Sequence, residues 1–234
     1  MTRGTATKSA GKVPAAKSRS RKESAQLKSV VDSENGPRSK LLKAATEMFS
    51  RYGYDSVSTG EIAKLAGLSQ STVHYYFSSK LALWQEAFRE LAKQRSATSF
   101  TTTALEYRDL DPLNYLKILV RRQVLGNLRA PNYFKFYVHE ALGGGGERLN
   151  WLLESNIGEG LVVLRAAIDT AVAAGVIRNA KPDYLTYLII ATASVSVTFG
   201  PLAKALGHDF TAETGHELLL DSIVEALFNG MIVR

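Results

Sequence analysis

The stretch GLSQSTVHYYFSSK, residues 67–80, is too polar for a buried helix and too rich in rings for a plain solvated loop. Wound at about 100° per residue, residues 70–77 separate into two faces. Val73 and Phe77 share one, flanked by Tyr76. Ser71, His74 and Tyr75 share the other, with Thr72 at its edge and Gln70 at the N-terminal tip. The first face anchors a short helix. The second carries hydroxyls, an imidazole, a phenol and an amide, and no carboxylate. That chemistry suits the DNA major groove. An amide can pair with an adenine edge, a threonine methyl can meet a thymine methyl, and hydroxyls can reach phosphates. Lys80 adds a second argument. A cation in the first turn of a helix opposes the macrodipole, and a phosphate bound there makes both favourable.

The flanking sequence supplies the rest of a helix-turn-helix. Order begins near Pro37, where Leu41, Ala45, Met48 and Tyr52 recur at helical spacing beside Leu42 and Phe49. Gly53 then stops the helix. In VSTGEI, residues 57–62, Ser58 can cap the next helix and Glu61 can reach back to it. Val57 and Ile62 occupy the hydrophobic-staple positions around that box. Gly67 ends this second helix, and Ser69 caps a third. A helix, a turn containing glycine and another short helix make the motif, and the three-helix unit spans about 37–77. A fourth helix follows, KLALWQEAFRELAKQR, with Leu81, Trp84, Phe88 and Leu91 as its apolar stripe.

Charge placement points the same way. The chain has 234 residues and a net charge of +7. Residues 1–36 carry a net +5, residues 37–95 a net +4 and residues 96–234 a net −2. A basic front and a slightly acidic back place a polyanion partner at the N-terminal end. Residues 1–36 hold few large apolar side chains and are expected to form a disordered basic arm. Such an arm either adds nonspecific attraction to DNA or serves only as a solubilising tail.

Beyond residue 96 the pattern is helical throughout, with helices expected at 111–128, 131–142, 148–174, 182–206 and 212–230 and a flexible glycine run at 143–146. No strand alternation is visible, so the class is all-α with about nine helices. Residues 184–203 are free of charge and long enough to span a bilayer. Their five serine and threonine side chains and the Gly200-Pro201 pair favour a helix buried in a bundle or subunit interface instead. No apolar leader follows the N-terminal charges, and a cytoplasmic location is expected, with no membrane partner.

Several enzymatic and metal readings fail. There is no cysteine, which removes thiolate zinc sites and cysteine nucleophiles. The glycine run lacks a following Gly-Lys-Ser/Thr. His208, Asp209, Glu213 and His216 fit no common ligand spacing. No Gly-x-Ser-x-Gly occurs and no histidine is visibly placed for a triad. The expectation is a protein that is not an enzyme and needs no cofactor or metal.

Residues 38–84, LLKAATEMFSRYGYDSVSTGEIAKLAGLSQSTVHYYFSSKLALW and its approach, resemble the DNA-binding domain of the TetR family of transcriptional regulators. The resemblance lies in Ile62-Ala63, Ala66-Gly67, Ser69, Thr72, Tyr75-Tyr76, Phe77, Ser79-Lys80 and Leu83. It implies DNA contacts from Gln70, Ser71, Thr72, Tyr75, Tyr76 and Lys80. The full candidate set adds Ser58, Thr59, Ser69 and His74. The family usually carries tyrosine where this chain has His74, which leaves the role of that position open. A protonated imidazole there would make phosphate binding depend on pH.

The resemblance further implies a helix-turn-helix DNA-binding domain at 37–82 and a ligand-binding and dimerisation domain at 83–234. A homodimer would read a palindromic operator, and a small apolar or aromatic effector would release it, the usual repressor arrangement in this family. The expected dimer interface uses Ala191, Ser194, Leu219, Ile223 and Leu227. Candidate pocket residues are Arg122, Tyr133, Phe134, Phe136, Tyr137, His139 and Trp151, although aromatics at helical spacing are more often core. The rival reading is a ligand-independent architectural DNA-binding protein that relies on the basic arm.

Overall fold

The computed structural model describes residues 36–96, 99–144, 146–178, 181–208 and 213–231. The basic arm, Gly145, the Thr211 helix start and Asp209 therefore lie outside the described residues. Among the described residues, every element with more than a turn is helical. Helix α1, Pro37–Tyr52, starts with proline in its first turn and buries Leu41, Leu42, Ala44, Ala45 and Phe49. It stops at Gly53, whose backbone (φ 77°, ψ 173°) is open essentially to glycine alone.

Helix α2, Thr59–Leu65, begins in the capping box expected from its sequence. The Ser58 hydroxyl accepts from the Glu61 amide, and the Glu61 carboxylate accepts from the Ser58 amide at 2.8 Å. Val57 and Ile62 are both buried beside it. Gly67, at φ 68°, turns the chain into α3, Gln70–Tyr76, capped by Ser69. Helix α4, Lys80–Arg95, is capped by Ser79 and buries Leu83, Trp84, Ala87, Phe88 and Leu91. Leu81, read from sequence as part of that stripe, is exposed, and Leu83 takes its place.

The remaining helices are α5 (Phe100–Tyr107), α6 (Pro112–Arg129), α7 (Pro131–Leu142), α8 (Glu147–Leu152), α9 (Gly158–Ala173), α10 (Pro182–Ala193), α11 (Val195–Thr198), α12 (Gly200–Ala205) and α13 (Glu213–Met231). Helices α8 and α9 run on through a π-helical turn, Leu153–Ile157. A Cβ at Gly158 would overlap the Leu153 carbonyl oxygen, so glycine makes room for that turn.

Two differences from the sequence reading have local causes. Helix α5 was not anticipated because FTTTALEY has no clear apolar stripe, yet Ser99 caps it through the Thr102 amide. The expected 182–206 helix is broken into three pieces. Ser194 and Thr198 hydroxyls turn back onto the Ile190 and Ser194 carbonyls, a pairing that bends helices. The buried Asn127 amide also takes the Ala193 carbonyl at 2.9 Å. Among the described residues, no helix is long and apolar enough to cross a membrane.

Two apolar cores result. The first joins α1–α4 to Tyr133 and Phe136 of α7 and Leu152 of α8. The second packs α6, α9, α10 and α13 together with Phe100. The helix-turn-helix is thus built onto α7 rather than tethered beside it.

Candidate nucleic-acid interface and effector cavity

Helix α3 presents the two faces that its sequence suggests. Val73 and Phe77 are buried, and Tyr76 is half-buried against the same core. Ser71, His74 and Tyr75 are exposed, Tyr75 by 78%. Its ring meets Tyr76 edge-on at 4.9 Å, which holds two phenols side by side. Gln70 is exposed, and its amide donates to the Thr59 hydroxyl at 3.3 Å. This bond ties the N-termini of α2 and α3, and the Gln70 amide lies over Gly60, where no side chain obstructs it. Ser69, Ser71 and Thr72 hydroxyls form one cluster at 2.7–2.9 Å from Ser69 Oγ.

Lys80 and His74 line a shallow recess with Asp55, Ser58, Thr59 and Glu61. The outer face of 70–77 carries no acid, but the fold brings two carboxylates beside it. Glu61 is committed to Ser58, whose hydroxyl and amide hold its pKa below the usual carboxylate value. Lys80 lies 4.2 Å from the Tyr54 ring centroid. Burial pulls its pKa down, with Asp55 acting in the opposite direction. Arg38 locks the motif from behind, pairing with Glu86 of α4 at 3.0 Å and covering the Phe77 ring.

A cavity of about 200 Å³ lies between α4, α5, α6, α7 and α9. Its apolar lining includes Phe100, Phe134, Tyr137, Ile157, Leu161 and Ile190. Its polar lining includes Arg95, Ser96, Ser99, Thr101, Thr102 and Gln123. Ile157 belongs to the π-helical turn, a distortion frequent at functional sites. Arg95 is only 7% exposed. Its guanidinium donates to Gln123 Oε1 and lies over the Tyr133 ring at 4.7 Å. Burial lowers the Arg95 pKa and raises that of Tyr133.

Of the seven pocket candidates read from sequence, Tyr133, Phe134 and Tyr137 line this cavity. The other four lie elsewhere. Phe136 packs on Trp84 at 5.7 Å and on Phe49. Trp151 covers Trp84 and Phe88. His139 places Nε2 at 3.1 Å from the Ser50 carbonyl oxygen. Arg122 pairs with Glu106 and Tyr107 on α5, and neighbouring Arg121 pairs with Asp221 on α13. The first three build the joint between helix-turn-helix and α7. Arg95, Gln123 and the first turn of α5 were not anticipated. A polar residue at the end of an amphipathic helix gives no sign that a distant helix will bury it.

The dimer candidates also divide. Ala191 is exposed and Leu219 half-buried, whereas Ser194, Ile223 and Leu227 are buried within the protomer. The apolar face that α10 leaves uncovered consists of Tyr184, Tyr187 and Leu188, with Leu202, Leu206 and Leu218 also exposed.

Residues 41–87 match the family model of bacterial regulatory proteins, tetR family. The HTH-type transcriptional regulator RutR of Escherichia coli K12 is 28% identical over 174 residues, covering 71% of this chain and 76% of RutR. BetI of Vibrio campbellii is 38% identical over 58 residues, 25% of this chain and 29% of that one. Among solved structures, AibR in complex with isovaleryl coenzyme A and operator DNA superimposes with a TM-score of 0.66 at 16% identity, covering 82% of this chain and 98% of AibR. SCO3833, a TetR regulator from Streptomyces coelicolor A3, gives 0.64 at 20% identity, covering 83% and 90%. Residues 41–87 thus match the DNA-binding domain of tetR-family regulatory proteins, and within them the α2–α3 pair is the helix-turn-helix.

Proposed function

We propose that this regulator is a cytoplasmic homodimeric repressor whose two α3 helices read a palindromic operator and whose cavity takes a small-molecule effector that releases it. The carrying observation is the outer face of α3, where Ser71, His74 and Tyr75 stand exposed on a helix fixed by Val73 and Phe77. Residues 37–82 act as the DNA-binding unit and 83–234 as the effector and dimer unit. Gln70 and Thr72 read base edges. Ser58, Thr59, Ser69, Ser71, His74, Tyr75, Tyr76 and Lys80 grip or border the phosphates.

A recognition helix of seven residues reads few bases, so a two-fold pair is needed for a specific site. The exposed row Tyr184, Tyr187, Leu188 and Ala191 recurs at i, i+3, i+4, i+7 along α10 and supports a self-complementary helix pairing. Helix α4 connects cavity and DNA. It contributes Ala92, Arg95 and Ser96 to the lining and carries Lys80 at its other end. Phe88 stacks on Tyr133 at 5.1 Å, so a ligand that displaces Tyr133 must displace α4 or repack the core. Bound effector then favours a dimer whose recognition helices are wrongly spaced for successive major grooves.

Fluorescence anisotropy with operator duplexes tests the assignment of roles. Gln70→Ala should relax preference at one base position and cost about 1–3 kcal/mol there, whereas Tyr75→Phe should weaken all sequences alike. Tyr187→Glu should give monomers in sedimentation and lose the palindrome. A monomeric wild type with full operator affinity would overturn the dimer reading.

A further inference from the structure

The effector cavity has an electrostatic polarity that specifies the ligand further, on the reading that this cavity is the effector site. Among the described residues, its lining includes a buried arginine and no aspartate or glutamate. A guanidinium keeps its charge in proteins and presents a planar fork matched to carboxylates. Around it stand the Gln123 amide and the hydroxyls of Ser96, Ser99, Thr101 and Thr102. Three of those lie at the first turn of α5, Ser99 as its cap, where the helix dipole favours negative charge. The same lining includes Phe134, Tyr137, Ile157, Leu161 and Ile190. An engineered apolar cavity of about 150 Å³ holds benzene. A volume of about 200 Å³ therefore takes one ring, or a branched chain of similar bulk, plus a small charged head.

We propose that the effector is a small organic carboxylate, with its carboxylate on Arg95 and the first turn of α5 and its aryl or branched alkyl body against Phe134 and Leu161. Arg95 then selects acids over their neutral isosteres, because an amide would lose the ionic part of the hydrogen bonds.

The full-length protein is titrated with matched pairs at fixed pH and ionic strength: benzoate, phenylacetate, 4-methylpentanoate and hexanoate, each beside its primary amide. Thermal stabilisation and release of a labelled operator are read together. At least one acid should stabilise the protein and release the operator about 10- to 100-fold more effectively than its amide. Arg95→Gln should lose that preference, and Arg95→Lys should recover part of it. Because Arg95 is buried, the acid–amide comparison on the wild type decides the matter even if Arg95→Gln does not fold. Amides matching or exceeding their acids would overturn the carboxylate assignment and leave the effector reading standing. No response to any member of any pair would overturn both.

Discussion

Replacing Arg148 with alanine probes the joint through which the cavity wall would act on the DNA-binding unit. Arg148 Nε donates to Glu140 of α7 at 2.8 Å, Nη2 donates to Asp55 in the turn before α2 at 2.9 Å, and the guanidinium lies 4.2 Å from the Tyr54 ring centroid. Partial burial works against the arginine's charge, but Glu140 and Asp55 more than offset it and raise its pKa. The two carboxylates differ greatly in burial: the Glu140 side chain is 4% exposed and that of Asp55 81%. Removing one partner of a fully buried ion pair costs about 3–5 kcal/mol. Arg148 itself is 29% exposed, so water replaces part of what is lost, and about 2–3 kcal/mol is expected for Arg148→Ala. Asp55→Asn breaks a largely solvated pair and should cost about 0–1 kcal/mol. Arg148→Ala combined with Glu140→Gln should recover about 1 kcal/mol or more, since no buried charge is left stranded. Urea unfolding, with an unchanged slope, measures these differences, and a melting experiment should show a drop of roughly 4–12 °C for Arg148→Ala. A value for Arg148→Ala within about 0.5 kcal/mol of wild type, or Asp55→Asn costing as much as Arg148→Ala, would refute the reasoning.

The remaining predictions concern the helix-turn-helix itself. Gly53→Ala should destabilise by about 1–3 kcal/mol in urea unfolding, because the backbone there is outside the reach of other residues and a Cβ would lie 3.1 Å from the His139 ring. The Glu61 pKa is lowered in the folded state, so its stabilising contribution is present above the unfolded value of about 4.3 and is lost as pH falls through the lower folded value. Glu61→Gln should therefore flatten the stability profile between about pH 5 and pH 3, and an unchanged slope would contradict the capping assignment. His74 faces Lys80, Asp55 and Glu61 in the recess. If its imidazole contacts a phosphate, His74→Phe should weaken operator binding in fluorescence anisotropy. Equal affinities would end that idea.

The parts of the fold that were legible in sequence are those decided locally. The Ser58–Glu61 box, the stop at Gly53, the turn at Gly67 and the division of 70–77 into two faces each depend on residues a turn or two apart. What could not be read depends on which helix arrives opposite. Phe136, His139 and Trp151 have the same chemistry as cavity-lining aromatics, yet they face Trp84, Ser50 and Phe88. Arg95 looks like the solvated end of an amphipathic helix until Gln123 and Tyr133 close over it. Ile223 and Leu227 are as apolar as Tyr187 and Leu188, and only packing against α6 and α10 decides that the first pair turns inward. The hydroxyls of the charge-free 184–203 stretch are plain in the sequence, but their effect on helix continuity comes through specific bonds to carbonyls.

The central claim is that two copies of α3 read a palindrome. Full-length protein can be mixed with a pool of random duplexes near physiological salt, the bound fraction recovered and sequenced, and the protein-to-duplex ratio measured on the enriched site. The account predicts one inverted repeat with half-sites a helical turn or so apart, bound by two chains or a multiple of two, and lost with Gln70→Ala combined with Thr72→Ala. Enrichment of no sequence, or of a single unrepeated site bound by one chain, would contradict it.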